Sequence, residues 1–221
     1  MPLSITPFSG DFAKKIMKEY NHRVALEYPK SPHLIRFIYE KEEFRASSLY
    51  MTILLNEIIQ EEGFKILTSN DLSKIVRESS DLLLGANVDL AVVIRESNCI
   101  TNNSLLREVR EREIELPVII PLTDLRIIRT NSAFGLGLHL KEDAEIVYAQ
   151  IIKEDAYFSQ TDINEKGLPN EISNQGDGFL YTSKRSFSRM FVSKRKNMLD
   201  LYTNGRGLFY QHKYNRILLV K

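Results

Sequence analysis

The residues whose types best suit a specific chemistry lie in the last part of the chain, residues 184–221. This segment contains ten Lys or Arg residues and one acid, Asp200, so its formal charge is about +9. Residues 1–183 contain the other twenty basic residues and twenty-eight acids, and carry a formal charge of about −8. Charge separated in this way along a chain favours an anionic partner, although the two parts can also neutralise each other across an internal interface.

Aromatic residues are interleaved with the cations of this segment. Phosphate groups attract Lys and Arg, and aromatic rings stack on unpaired bases, so the composition is typical of a surface that binds nucleic acid. In a strand, Arg185, Phe187 and Arg189 share one face, which predicts an Arg-Phe-Arg platform. The alternative is that the aromatic residues form the core and the cations are its solvated complement. The predicted nucleic-acid-binding residues are Lys184, Arg185, Phe187, Arg189, Lys194, Arg195, Lys196 and Arg206.

A second candidate group follows the nearly continuous apolar run at 88–94. A polar loop comes next, and the predicted helix after it carries Glu108 about one turn from its start. Residues 86–124 resemble part of the nucleotide-handling folds of TIR-type and nucleoside deoxyribosyltransferase-type proteins. That resemblance implies cleavage of an N-glycosidic bond, with Glu108 as the catalytic acid. Glu108 equally suits a solvated helix face, since residues 107–113 alternate in sign at helical neighbour spacing.

Other signatures of catalysis or metal binding are missing from the sequence. No glycine-rich phosphate loop and no nucleophile elbow occurs. Asp89 suits the acid of a nuclease core, but the acidic partner expected on the strand at 117–122 is absent. The residues that most often bind transition metals are spread along the chain: His22, His33, Cys99, His139 and His212. We therefore expect neither a metal site nor a cofactor.

The overall composition fits a globular protein. Of the 221 residues, 43% are hydrophobic and 27% are charged, which suits one domain or two small ones. No apolar run approaches the roughly 18 residues of a membrane span, and the N-terminus lacks the basic start and apolar stretch of a signal peptide. A single cysteine cannot form an internal disulfide. These features predict a cytoplasmic protein that does not bind a membrane.

The elements that must position these residues change in type along the chain. Helical periodicity is clear at 11–28 and in a helix that starts near Ser47 or Ser48 and ends at Gly63. Between them, a short helix is expected through Leu34, Ile35 and Ile38. Residues 64–121 alternate short apolar runs with helical segments, which predicts a small β-α-β-α-β unit with parallel strands. After residue 122 only strand patterns recur, interrupted by a polar connection at 159–178.

The sequence therefore predicts an α+β fold, with N-terminal helices, a small parallel β-α-β-α-β unit and a C-terminal antiparallel β-rich region. The corresponding regions are 1–63, 64–122 and 123–221, unless all three form one domain. The leading functional prediction is non-enzymatic binding of nucleic acid by the basic aromatic C-terminal region. The alternatives are a nucleotide- or nucleoside-processing enzyme at the α/β unit and a structural or interaction subunit of a homo-oligomer.

Overall fold

A computed structural model describes residues 4–29, 37–40, 43–46, 48–96, 103–131, 135–205 and 215–221, with backbone only for residues 38–40, 45 and 46. The helices are α1 (Gly10–Glu27), α2 (Leu49–Gln60), α3 (Leu72–Glu78) and α4 (Ser104–Glu111). The strands are β1 (Ile5–Pro7), β2 (Phe37–Glu40), β3 (Glu43–Ala46), β4 (Lys65–Ile66), β5 (Asn87–Ile94), β6 (Val118–Pro121), β7 (Leu125–Arg129), β8 (Leu136–Leu140), β9 (Val147–Tyr148), β10 (Ala156–Phe158), β11 (Gly178–Tyr181), β12 (Phe187–Arg195), β13 (Met198–Gly205) and β14 (Leu218–Val220).

Local sequence signals set the ends of the helices. The Ser48 hydroxyl caps α2 by accepting a hydrogen bond from the Met51 N–H at 3.3 Å. Asn103 caps α4 in the same way, with the Leu105 N–H donating to its side-chain oxygen at 3.0 Å. Gly63 follows α2 with a φ of +76°, a left-handed conformation that glycine adopts without steric cost. The two long N-terminal helices predicted from the sequence are therefore present. The short helix expected between them is wrong at Ile38, which lies in the strand β2, while Leu34 and Ile35 lie outside the described residues.

A seven-stranded sheet forms the centre of the fold, in the order β10-β11-β13-β12-β5-β6-β9. Its neighbouring strands are antiparallel, except that β11 and β13 run parallel. A second sheet has the order β1-β14-β4, and two hairpins, β2-β3 and β7-β8, complete the described strands. The mixture of helices and extensive sheets confirms the predicted α+β class.

The parallel β-α-β-α-β unit predicted for residues 64–121 is not confirmed. β4 belongs to the smaller sheet, and β5 pairs with β6 antiparallel, with Ala91 opposite Pro121 and Ile94 opposite Val118. The C-terminal strands also depart from a purely antiparallel arrangement, because β13 returns between β11 and β12 and pairs with β11 in parallel. Continuous apolar runs identify strands that are buried on both faces, but they do not encode strand direction.

Two hydrophobic clusters cover opposite faces of the large sheet. The first contains Val92 and Ile94 of β5, together with the buried faces of α1, α2 and α4 and the β7-β8 hairpin. The second contains Ala91 and Val93, together with α3 and the inward residues of β11, β12 and β13. Among the described residues of β10 to β13, only Phe187 joins the first cluster. The helices therefore cover the β5-β6 half of that face and leave the β10-β11-β13-β12 half without them.

Candidate nucleic-acid interface

Five half-buried aromatic side chains cross this second half of the sheet face, and we refer to them as the aromatic row. Its members are Tyr157 of β10, Phe179 and Tyr181 of β11, Tyr202 of β13 and Phe191 of β12. The row follows from the two-residue period of a strand, because Phe179 and Tyr181 flank Leu180, which is fully buried in the second cluster. Strand pairing sets Tyr202 opposite both Tyr181 and Phe191.

The rings contact one another from strand to strand. Tyr202 stacks on Tyr181 with centroids 4.5 Å apart and planes 5° apart, and on Phe191 at 4.5 Å and 10°. Phe179 meets Tyr181 at 4.6 Å and Tyr157 at 4.7 Å, both in edge-to-face geometry. Stacked and edge-to-face pairs at these distances are attractive beyond the area that they bury. The row is therefore a preorganised aromatic surface whose five residues are each only partly buried.

Exposed cations lie at both ends of β12, whose middle residue Phe191 belongs to the row. Lys184 and Arg185 precede the strand, and Arg195 ends it with a side chain that is 63% exposed. Lys196 follows in the turn to β13, where its φ is +51°. Within the described parts of the chain, Lys184, Arg185 and Lys196 form no ion pair with a carboxylate. These four cations were all predicted from the sequence.

The predicted Arg-Phe-Arg platform does not reach the surface. The Arg189 side chain is only 4% exposed and forms a buried ion pair with Asp89, in which Nε donates to Oδ1 at 3.1 Å. Asn215 Nδ2 donates to the same carboxylate at 2.9 Å. Phe187 packs against the first hydrophobic cluster. Phe187 and Arg189 therefore share one face of the strand, as predicted. Near β5 that face is interior, because β12 is a central strand of the sheet.

Other cations of the basic segment are neutralised by acids from the rest of the chain. Lys194 Nζ lies 2.5 Å from the Ser80 hydroxyl and 3.8 Å from Asp81, and its side chain is mostly buried. Arg216 binds Glu43 at 3.0 Å. Some cations of the basic segment are therefore paired internally and others are exposed, and the anionic partner stays a prediction. The predicted site residue Arg206 lies outside the described residues, as does Cys99.

Arg95 fixes the geometry at the β11-to-β12 end of the surface, and sequence reasoning did not single it out. Its Nη1 donates to the Ser188 hydroxyl at 2.8 Å, and its Nη2 donates to the Thr203 carbonyl and hydroxyl oxygens, both at 2.7 Å. Its backbone N–H donates to the Ser186 carbonyl at 2.8 Å. Burial of the guanidinium lowers the pKa of Arg95 to about 10. The guanidinium thus ties β5 to β12, β13 and the loop that carries Lys184 and Arg185.

Glu108 forms contacts that join two elements, and it also lines an open cleft. One carboxylate oxygen accepts a hydrogen bond from the Leu140 backbone N–H at 2.9 Å, and the other binds Arg112 at 2.6 Å. His139 Nδ1 lies 3.5 Å from the first of these oxygens. The Ser104 hydroxyl adds a hydrogen bond to the Leu138 carbonyl at 2.8 Å. These contacts join α4 to β8 beside an open cleft of about 400 Å³.

Comparison with known proteins finds no matching family model, no matching curated protein and no matching solved structure. Within the described ranges, no helix has both the length and the apolar character that a membrane crossing requires. The same residues include no group of three or more His, Cys, Asp or Glu side chains placed to hold a metal ion. Among the described residues, the aromatic row and the cations around it are therefore the features from which a function can be inferred.

Proposed function

We propose that this protein binds single-stranded nucleic acid on the aromatic row and does so without catalysing a reaction. The observation that supports the proposal is the combination of five half-buried aromatic residues on one sheet face with exposed cations at both ends of β12. Bases stack on aromatic rings whatever their identity, and Lys and Arg contact the phosphates between them. The binding residues in this proposal are the row itself with Lys184, Arg185, Arg195 and Lys196.

The geometry limits how many bases can stack directly. Tyr202 has Tyr181 on one face and Phe191 on the other, so a base can stack only on the outer faces of this three-ring stack, at Tyr181 or Phe191. Base–aromatic stacking contributes about 1–3 kcal/mol per base, so one or two stacked bases need phosphate contacts as well. If all four exposed cations contact phosphates, the logarithm of the binding constant should fall with the logarithm of the salt concentration with a slope of about −3 at most for a single strand.

The alternative functions have less support. Both carboxylate oxygens of Glu108 already accept hydrogen bonds that join α4 to β8, and a catalytic acid at this position would first have to release them. Pairing between copies of the chain through its charges is weakened by the internal pairing of Arg189, Lys194 and Arg216, which leaves fewer cations for a second copy. Self-association of the chain is therefore one of the outcomes that the experiments below distinguish.

Fluorescence anisotropy with a labelled single-stranded oligonucleotide, titrated over a range of salt concentrations, tests the electrostatic part. Lys184→Glu with Arg185→Glu should weaken binding at least about tenfold at low salt and make the salt dependence shallower. The matched control is Lys14→Glu with Lys18→Glu, two exposed positions on α1 with the same change in charge, which should stay within about twofold. Equal losses in the two double variants would show that only net charge matters and would contradict a defined binding surface.

The aromatic part requires a separate variant. Tyr181→Ala removes one ring of the stack and should weaken binding by about 5- to 100-fold, with little change in the salt dependence. Tyr148→Ala is the control, because Tyr148 is exposed on the edge strand β9 and does not belong to the row. If the protein binds no oligonucleotide at any salt concentration, the proposal is wrong. Salt-sensitive self-association in light scattering would then support the interaction-subunit alternative.

A further inference from the structure

A buried carboxylate with one unsatisfied oxygen lies beneath the exposed cation Arg195. The Asp200 side chain is fully buried, and its Oδ2 accepts a hydrogen bond from Arg195 Nε at 2.5 Å and lies 3.5 Å from the Tyr202 hydroxyl. Its Oδ1 is also buried, and among the described residues no donor reaches it. An unsatisfied buried acceptor is rare and costly, so this oxygen is well placed to accept a hydrogen bond from a ligand.

The position of Asp200 in the sheet brings this oxygen to the aromatic row. Asp200 is opposite Phe179 on β11 and opposite Ser193 on β12. It precedes Tyr202 by two residues on β13, so the two side chains share one face of the sheet. The carboxylate therefore lies between ring-bearing positions of the row and the small side chain of Ser193. A base held at the row would lie within reach of a single acceptor atom.

Arg195 is the exposed part of this arrangement. Its guanidinium binds Asp200 and also approaches the Tyr181 hydroxyl, with Nη2 3.3 Å from the oxygen, while most of the side chain is exposed. An exposed arginine changes rotamer easily, and its planar donor array matches a phosphate as well as it matches a carboxylate. A phosphate of a bound strand would compete for the guanidinium and draw it outward. That movement would open the path from the row to Asp200.

We infer that Asp200 selects a base with an exocyclic amino group, cytosine above all, at one position of the bound strand. This inference rests on the proposed nucleic-acid binding and adds base preference to it. The N4 amino group of cytosine donates a hydrogen bond that a carboxylate accepts. Thymine and uracil present carbonyl oxygens at the corresponding edge, which repel a carboxylate.

The test compares the affinities of oligo-dC and oligo-dT of equal length, about 15 nucleotides, at mildly alkaline pH. The wild-type protein should bind oligo-dC about 5- to 20-fold more tightly than oligo-dT. Asp200→Asn should reduce that preference to within about twofold, without weakening oligo-dT binding, since removing a negative charge does not harm phosphate contacts. Circular dichroism and a thermal melt check that the variant is folded.

A second variant keeps the test decisive if Asp200→Asn does not fold. Arg195→Gln removes the cation that covers the carboxylate and leaves Asp200 in place. It should lower the affinity for both oligonucleotides through the lost phosphate contact and retain the preference for oligo-dC. Loss of the preference in this variant would contradict recognition by Asp200. Equal wild-type affinity for the two oligonucleotides overturns only the base preference, whereas failure to bind either one overturns the proposed function itself.

Discussion

Arg189 of β12 and Asp89 of β5 form an ion pair in the interior of the large sheet, with side chains that are 4% and 3% exposed. Asn215 supplies a further donor to the Asp89 carboxylate. The pair joins residues one hundred positions apart in the chain, so it holds the C-terminal strands against the strand that the first half of the chain contributes. A residue expected to contact a ligand is thus part of the interior.

We expect Arg189→Met to lower the free energy of unfolding by about 3–5 kcal/mol, because it leaves the Asp89 carboxylate buried with its charge uncompensated. Urea denaturation followed by circular dichroism measures the change. Arg185→Met is the matched control, since Arg185 is exposed and the same substitution there should change stability by less than about 0.5 kcal/mol. Equal stability of the two variants would mean that the pair is open to solvent.

Glu108→Ala should lower the free energy of unfolding by about 1–3 kcal/mol, because the Leu140 N–H and the Arg112 guanidinium lose their acceptor. Thermal denaturation measures the effect. Glu111→Ala removes an exposed carboxylate from the same helix and should change stability by less than about 0.5 kcal/mol. A Glu108 variant as stable as wild type would remove the structural explanation and restore interest in the carboxylate as a reactive group.

Stability should fall as the pH rises above about 10, because buried tyrosines hold their protons in the folded state. Burial raises the pKa of Tyr20 and Tyr50 above the ordinary value, and burial together with the nearby Asp200 raises the pKa of Tyr202 to about 12. An unfolded chain releases these protons near pH 10. Their stabilisation is therefore complete below that pH and is lost as the pH rises towards the folded-state values.

Urea midpoints measured at increasing alkaline pH provide the readout. Tyr202→Phe keeps the ring in the row and removes one ionising hydroxyl, so its stability should fall less steeply with pH than that of the wild type. Arg95 acts in the opposite direction over the same range, because its lowered pKa lets the folded state release a proton before the unfolded chain does. A midpoint that does not change above pH 10 would contradict the burial of these hydroxyl groups.

The aromatic row shows how far sequence reasoning about the candidate interface could go. The alternation of Phe179, Leu180 and Tyr181 predicts one buried and one open face for that strand. Strand order then decides which open faces combine, and β13 lies between β11 and β12 although it follows both in the chain. Tyr202 can therefore stack between Tyr181 and Phe191, a contact that no spacing in the sequence encodes.

The sequence by itself determined the two long N-terminal helices, the α+β class, the buried character of residues 88–94 and the turn position of Lys196. These properties follow from local periodicity, capping and charge, which act within a few residues. The tertiary structure alone decided the antiparallel pairing of β5 with β6, the burial of Arg189 against Asp89 and the unsatisfied oxygen of Asp200. Each depends on which distant strands become neighbours. The hydrophobic effect is non-directional, so one hydrophobic pattern is compatible with several such strand arrangements.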